Sequence, residues 1–194
     1  MALFETIKNL DRNLFLFLNS HHNDQLDYAM AWLSDEYIWI PFYLALITLV
    51  IYYYRKDSWI ILLALILLVT ASDQLSGLIK HTVCRYRPCH NSLLAGLVHT
   101  LKGCGGLYGF VSSHAANTFA LATFMTMLMK SRYEYAGWLL FAWAGAVSYS
   151  RIYLGVHYPA DVLGGAFLGI VLGYSLFKLT NYFINKPKTV ALPV

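Results

Sequence analysis

The sequence predicts an all-α, polytopic membrane bundle with about five transmembrane helices and a pair of amphipathic helices at the N-terminus. Composition is the first reason. Of 194 residues, 58% are hydrophobic and only 12% charged, where a soluble domain carries about 25% charged residues. The second is a series of apolar runs separated by short polar turns, at 37–54, 58–79, 113–129, 135–149 and 159–181, each near the roughly 20 residues needed to cross a bilayer. The third is Gly165, Gly169 and Gly173 in the last run, a small residue at every fourth position that lets membrane helices approach closely. The length suits a single domain over 1–194.

Taken in order, residues 3–19 set Ile7, Leu10, Leu14, Phe17 and Leu18 near helical spacing, with Glu5, Lys8, Asp11 and Arg12 between them. That pattern fits a helix lying on the membrane surface, and residues 1–34 are read as two interfacial helices around the turn 19–24. The adjacent His21-His22 is read as solvated loop, because neighbours cannot share a helical face. The first span has aromatics at both ends and stops at Arg55-Lys56-Asp57. The second carries Asp73, a costly group inside a span, read as a structural hydrogen-bond partner. Residues 80–111 form the longest polar connection, and the third span starts near Ser113. The fourth ends in Ser150-Arg151, and the fifth starts at Pro159, a residue suited to a first helical turn. The tail from Lys186 is expected to be loose.

Net charge is +4 without a basic stripe, so loop charges explain it and nucleic acid is not expected as a partner. No basic n-region leads into an apolar core at the N-terminus, so no cleaved signal peptide is expected. Cys84, Cys89 and Cys104 show no zinc spacing, so neither metal nor other cofactor is expected. Basic residues divide evenly between the two faces that five spans would create. Because Lys80, Arg87 and Arg151 have another use, the N-terminus and the polar clusters are placed outside.

Three polar clusters fall on that face. Lys80-x6-Arg87-Pro88 leaves the second span. Ser112-Ser113-His114 opens the third, after a loop containing Gly103, Gly105, Gly106 and Gly109. Ser150-Arg151-x5-His157-x3-Asp161 joins the fourth to the fifth. Hydroxyls and free N–H groups at a helix start favour an anion, and Arg and Lys add bidentate and point-charge contacts to phosphate oxygens. One helical turn separates His157 from Asp161, so the carboxylate can fix the imidazole tautomer. Two histidines fit a nucleophile and a proton donor.

Together the clusters resemble the type 2 phosphatidic acid phosphatase superfamily, whose signature is Lys-x6-Arg-Pro, Pro-Ser-Gly-His and Ser-Arg-x5-His-x3-Asp. The first and third elements match at every defined position. The second departs at Val111, where the family has Pro, and at Ser113, where it has Gly. The resemblance covers roughly residues 73–175. It implies phosphate binding by Lys80, Arg87, Arg151, Ser112 and the Ser113 backbone. It further implies attack by His157 steadied by Asp161, protonation of the leaving group by His114, and no metal. The implied activity is metal-independent dephosphorylation of a membrane lipid phosphate in the bacterial inner membrane, on the periplasmic face. Undecaprenyl diphosphate or phosphatidylglycerophosphate is preferred as substrate, with phosphatidic acid and a lipid A phosphate as further candidates. Lipid-to-lipid phosphotransfer at the same site is the alternative, and a non-catalytic lipid-binding protein a remote one. No protein partner is required by this reading. On an extracytoplasmic face a Cys89–Cys104 disulfide is expected, with Cys84–Cys104 the runner-up.

Overall fold

The computed structural model describes residues 2–101 and 103–185. The expected loose tail, and Lys102, Lys186 and Lys188 used to weigh the two faces, lie outside them. The fold is all-helical: α1 (Ala2–Ser20), α2 (Asp24–Leu33), α3 (Ile40–Tyr54), α4 (Ser58–Val83), α5 (Ser113–Met129), α6 (Ala136–Tyr153) and α7 (Pro159–Asn185). Among the described residues the only β pairing is an isolated antiparallel bridge between Tyr86 and Tyr108.

Helix α5 is the axis of the bundle and packs against α4, α6 and α7. It has no polar face, and Ala115, Ala116, Ala120, Ala122, Phe124 and Met125 are fully enclosed. Small residues bring α7 against it. A Cβ added at Gly165, Gly169 or Gly173 would come within 2.4, 2.3 or 2.5 Å of the carbonyl oxygens of Ser112, Ala116 and Ala120 respectively. Real side chains do not fit there, so the glycine stripe sets the α5–α7 distance.

Among the described residues two helical stretches are long and apolar enough to cross a membrane. They are Glu36–Val83, a hairpin turning at Arg55–Asp57, and Pro159–Asn185, with mean hydropathies of 1.9 and 1.8. Only 28% of each apolar window is buried, so these are not core helices of a soluble protein. Leu63, Ile66, Leu67, Leu163 and Phe167 instead face outward, as lipid-facing side chains do. The remaining helices are shorter: α5 has 17 residues and α6 has 18.

Two boundaries differ from expectation in a way that matters for the site. Helix α4 continues to Val83 and α6 to Tyr153, so Lys80 and Arg151 are held in final helical turns rather than in loops. Polar side chains at a membrane edge interrupt the apolar pattern without interrupting the helix. Asp73 also differs from its reading as a hydrogen-bond partner. Its side chain is exposed and within electrostatic reach of Lys80, and among the described residues the side-chain hydrogen bond it receives, from Ser76 Oγ at 3.0 Å, goes to its carbonyl.

The N-terminal helix does more than cover a surface. Leu3, Ile7, Leu10, Leu14 and Phe17 form an exposed apolar stripe on α1, while Phe15 and Asn19 on its other side are buried. Phe15 meets Tyr158 edge-on at 5.3 Å, within a second core cluster that includes Leu94, Ala115, Ile152 and Val162.

Candidate active site

The three sequence clusters meet at one end of the bundle, where the entry of α5, the exit of α6 and the entry of α7 converge. The turn Leu154–Tyr158 carries His157, which is 2% exposed, and the first turn of α7 carries Asp161, fully buried. Their spacing brings His157 Nδ1 to 3.5 Å from Asp161 Oδ2. This is a close approach without hydrogen-bond alignment, and among the described residues Nδ1 has no hydrogen-bond partner. By the covalent geometry of imidazole, Nε2 is then aimed away from Asp161.

Asp161 is itself tightly held. Its Oδ2 accepts from Tyr158 N at 2.9 Å, its Oδ1 accepts from Arg85 Nη1 at 2.8 Å, and its carbonyl accepts from Ser112 N at 2.9 Å. The last bond ties the N-cap of α5 directly to the first turn of α7. Gly109 lies over the pair: a Cβ there would come within 2.9 Å of Asp161 Oδ2 and 3.5 Å of His157 Nδ1. Only a glycine lets the 105–109 loop close onto the carboxylate.

Ser112 is buried and caps α5, accepting from Ala115 N at 3.5 Å. Ser113 takes a different part from its neighbour. Its Oγ accepts from Lys80 Nζ and shares a hydrogen bond with Ser76 Oγ at 2.7 Å. The side chain that replaces the family's glycine is thus turned toward α4 and ties α5 to Lys80. Val111 follows a cis peptide bond at Phe110.

Arg87 donates from Nε to Tyr108 O at 3.2 Å and from Nη1 to Cys104 O at 2.9 Å. The backbone pairs Arg87 N with Leu107 O at 3.1 Å and Gly109 N with Arg85 O at 2.8 Å. Arg151 donates from Nη1 to Ser34 Oγ at the end of α2, while its buried Nε has no partner. His114 lies within electrostatic reach of Arg151, His157, Arg87 and Lys80. A site that concentrates these cations and leaves the buried Nε of Arg151 unpaired has the make-up of an anion receptor.

The electrostatics favour a neutral imidazole. Burial pushes His157 down to about 4, Asp161 pulls the other way, and Arg87 and Arg151 add to the lowering. Burial also pushes the Arg87 guanidinium down, against the opposing pull of Asp161.

Cys89 and Cys104 are joined in a disulfide with Cα atoms 6.0 Å apart, and Cys84 is free and exposed. Because Cys104 O accepts from Arg87, the bridge braces that side chain. Closing a loop of this length is worth about 3 kcal/mol in the chain-entropy estimate. Reductant is therefore expected to lower the melting temperature and raise KM for a phosphate substrate. A melt unchanged by reductant, with Cys89 and Cys104 freely alkylated beforehand, would remove the brace.

Two further residues at this end were not recognised as site residues in the sequence. Arg85 bridges Asp161 to Asp11 Oδ2 at 2.5 Å and lies over the Tyr158 ring at 4.1 Å. Asp11, read as part of a surface helix, also accepts from Ala160 N at 2.9 Å. In the sequence Asp11 stands among Asn9, Arg12 and Asn13, a polar stretch that does not reveal a partner in another element.

An all-helical membrane fold with paired histidines under a cluster of cations defines a phosphoryl-handling membrane enzyme. The chain belongs to the PAP2 superfamily, whose family model matches residues 58–185, and it is a phosphatase of that family. It is 34% identical over 186 residues to a lipid A 4'-phosphatase of Bacteroides thetaiotaomicron, covering 92% of this chain and 80% of that one. It is 32% identical over 165 residues to the undecaprenyl-diphosphatase BcrC of Bacillus subtilis, covering 84% and 79%. Among solved structures it is similar to Aquifex aeolicus LpxE, with a TM-score of 0.67 at 27% identity, covering 87% and 95%.

Proposed function

We propose that the protein removes phosphate from a membrane lipid without a metal cofactor, through a phosphohistidine. The observation that carries this reading is the buried, neutral His157 backed by Asp161 beside Arg87 and Arg151. In the proposed reaction, Lys80, Arg87, Arg151, Ser112 and the Ser113 N–H hold the phosphate oxygens. His157 Nε2 forms the bond to phosphorus as the bond to the leaving oxygen breaks, and His114 gives that oxygen its proton. Water then attacks phosphorus, its proton is taken by His114, and the P–N bond breaks to release inorganic phosphate. Electrostatic stabilisation of the transferring group is the largest contribution expected.

Five spans, α3 to α7, are proposed, with α1 and α2 on the interface and the site on the periplasmic face of the inner membrane. Helix α3 alone covers only about 22 Å at 1.5 Å per residue, but the preceding turn Glu36–Trp39 extends it. A disulfide beside the site supports an oxidising compartment.

Relatedness supports a lipid A phosphate as the first substrate to test, with undecaprenyl diphosphate second. Phosphatidylglycerophosphate and phosphatidic acid complete the panel. The test is phosphate release from each lipid by purified protein in detergent, with and without chelator. Activity is expected to persist in chelator and to be inhibited by vanadate. Loss of activity in chelator with recovery on adding magnesium would overturn the metal-free reading. An added alcohol or lipid acceptor that takes the phosphate in place of water would identify a phosphotransferase.

A further inference from the structure

A second cluster of metal-ligating side chains lies apart from the phosphate site. His22, Asp27 and His99 bring their ligand atoms within 4.8 Å of one another. We infer that His22, Asp27 and His99 form a binding site for a divalent transition metal of the zinc type, fastening the N-terminal helices to the end of the bundle that holds His157.

Two of the three ligands are already fixed. Asp27 Oδ1 accepts from Tyr153 OH at 2.6 Å and lies 2.9 Å from His99 Nε2, a hydrogen bond that holds the carboxylate and the imidazole side by side. No hydrogen bond to Asp27 Oδ2 is formed among the described residues, so that oxygen is available to an ion. The backbone of His99 is clamped on both sides by Asn19, whose Oδ1 accepts from His99 N at 2.8 Å and whose Nδ2 donates to His99 O at 3.0 Å. Asn19 is 1% exposed and also donates to Tyr153 O at 2.7 Å. A tyrosine on the carboxylate and an amide on the ligand's backbone are the kind of outer support that orients metal ligands.

The third ligand stands at the surface in a turn. His22 is exposed, in the turn between α1 and α2, and stacks on His99 with ring centres 3.7 Å apart and planes inclined by 3°. An ion binds in the plane of an imidazole, along its nitrogen lone pair, so no ion can serve two parallel rings at once. Rotation of His22 out of the stack is therefore part of binding, and its exposure leaves that rotation free. Two imidazole nitrogens and one carboxylate oxygen suit zinc, with water completing a tetrahedral set.

The consequence is mechanical. His22 and Asp27 belong to the α1–α2 region, His99 to the long connection after α4, and Tyr153 to the last turn of α6, two residues beyond Arg151. An ion here ties three separate segments together, and none of its ligands belongs to the phosphate site.

The test uses tag-free, full-length protein stripped with chelator, in detergent, on a Cys84→Ser background that removes the free thiol. Zinc chloride is titrated against a competing chelator, and thermal unfolding is followed in parallel. One zinc per chain and a rise of several degrees in Tm are expected, with magnesium giving none. His22→Ala lies at an exposed position and is expected to keep the zinc-free Tm while lowering zinc affinity at least about tenfold. His21→Ala should retain the full response. No zinc-dependent rise, or a rise unchanged in His22→Ala, would overturn the site. Because stability is the readout, the outcome is independent of whether the proposed phosphatase chemistry holds.

Discussion

Purified His157→Ala is expected to lose lipid phosphatase turnover by at least about four orders of magnitude, the scale on which enzymes respond to loss of a nucleophile. His114→Ala should lose about 10²–10⁴-fold, the usual worth of a positioned general acid. Choice of leaving group separates the two roles. An aryl phosphate needs little protonation on departure, so it should restore the phosphoryl-transfer step, read as a burst of released phenol, in His114→Ala and not in His157→Ala. In His114→Ala an acid-labile, base-stable phosphoenzyme should be trapped. Steady turnover by His157→Ala would remove the covalent mechanism. The pH dependence has a definite sign. His157 must be neutral to attack, and its folded value of about 4 places the acid limb of kcat/KM near pH 4 rather than 6.5. The same lowering means that the unfolded chain binds more protons than the native one between those values. The stability associated with His157 is thus present above about 6.5 and lost as pH falls toward 4.

Arg85→Gln is expected to lower kcat about 10- to 100-fold with little change in KM, although Arg85 has no assigned contact with phosphate. Its guanidinium holds Asp161 Oδ1 at 2.8 Å and Asp11 on the other side. Without it Asp161 keeps only the Tyr158 N–H. A buried carboxylate that loses a charged partner either moves or draws a proton closer. Less of the Asp161 charge is then neutralised, the His157 imidazolium is favoured, and the acid limb should shift upward from about pH 4. A purely architectural Arg85 would change stability and leave that limb in place. Arg85→Lys should recover part of the rate, and Asp11→Asn should show the same shift on a smaller scale.

The residues proposed to hold phosphate were legible because each carries chemistry of its own within a short motif. Lys80, Arg87, Arg151, His157 and Asp161 need only local spacing to be noticed, and α5 begins at Ser113 as its capping pattern suggests. What holds them was not legible. Arg85 finds Asp11 across 74 positions, and His99 finds Asp27 across 72. Such pairings depend on where helices finally lie, and no periodicity reports that. Ser113 shows a subtler limit. A glycine-to-serine change marks where a side chain must be accommodated, but its turn toward Lys80 rests on α4 continuing helically past its last apolar turn.

The glycine contacts between α5 and α7 have a consequence for how the protein meets different bilayers. His114 and Asp161 are carried on helices whose separation is set by backbone lying on backbone, with Ser112 N bonded to Asp161 O at their shared end and His157 on the turn that leads into α7. A thicker or thinner membrane can tilt that pair as one body without altering the spacing of its two imidazoles. Adjustment to lipid falls instead on the α3–α4 hairpin and on the apolar stripe of α1. The chemical step should therefore be indifferent to acyl-chain length even where substrate capture is not.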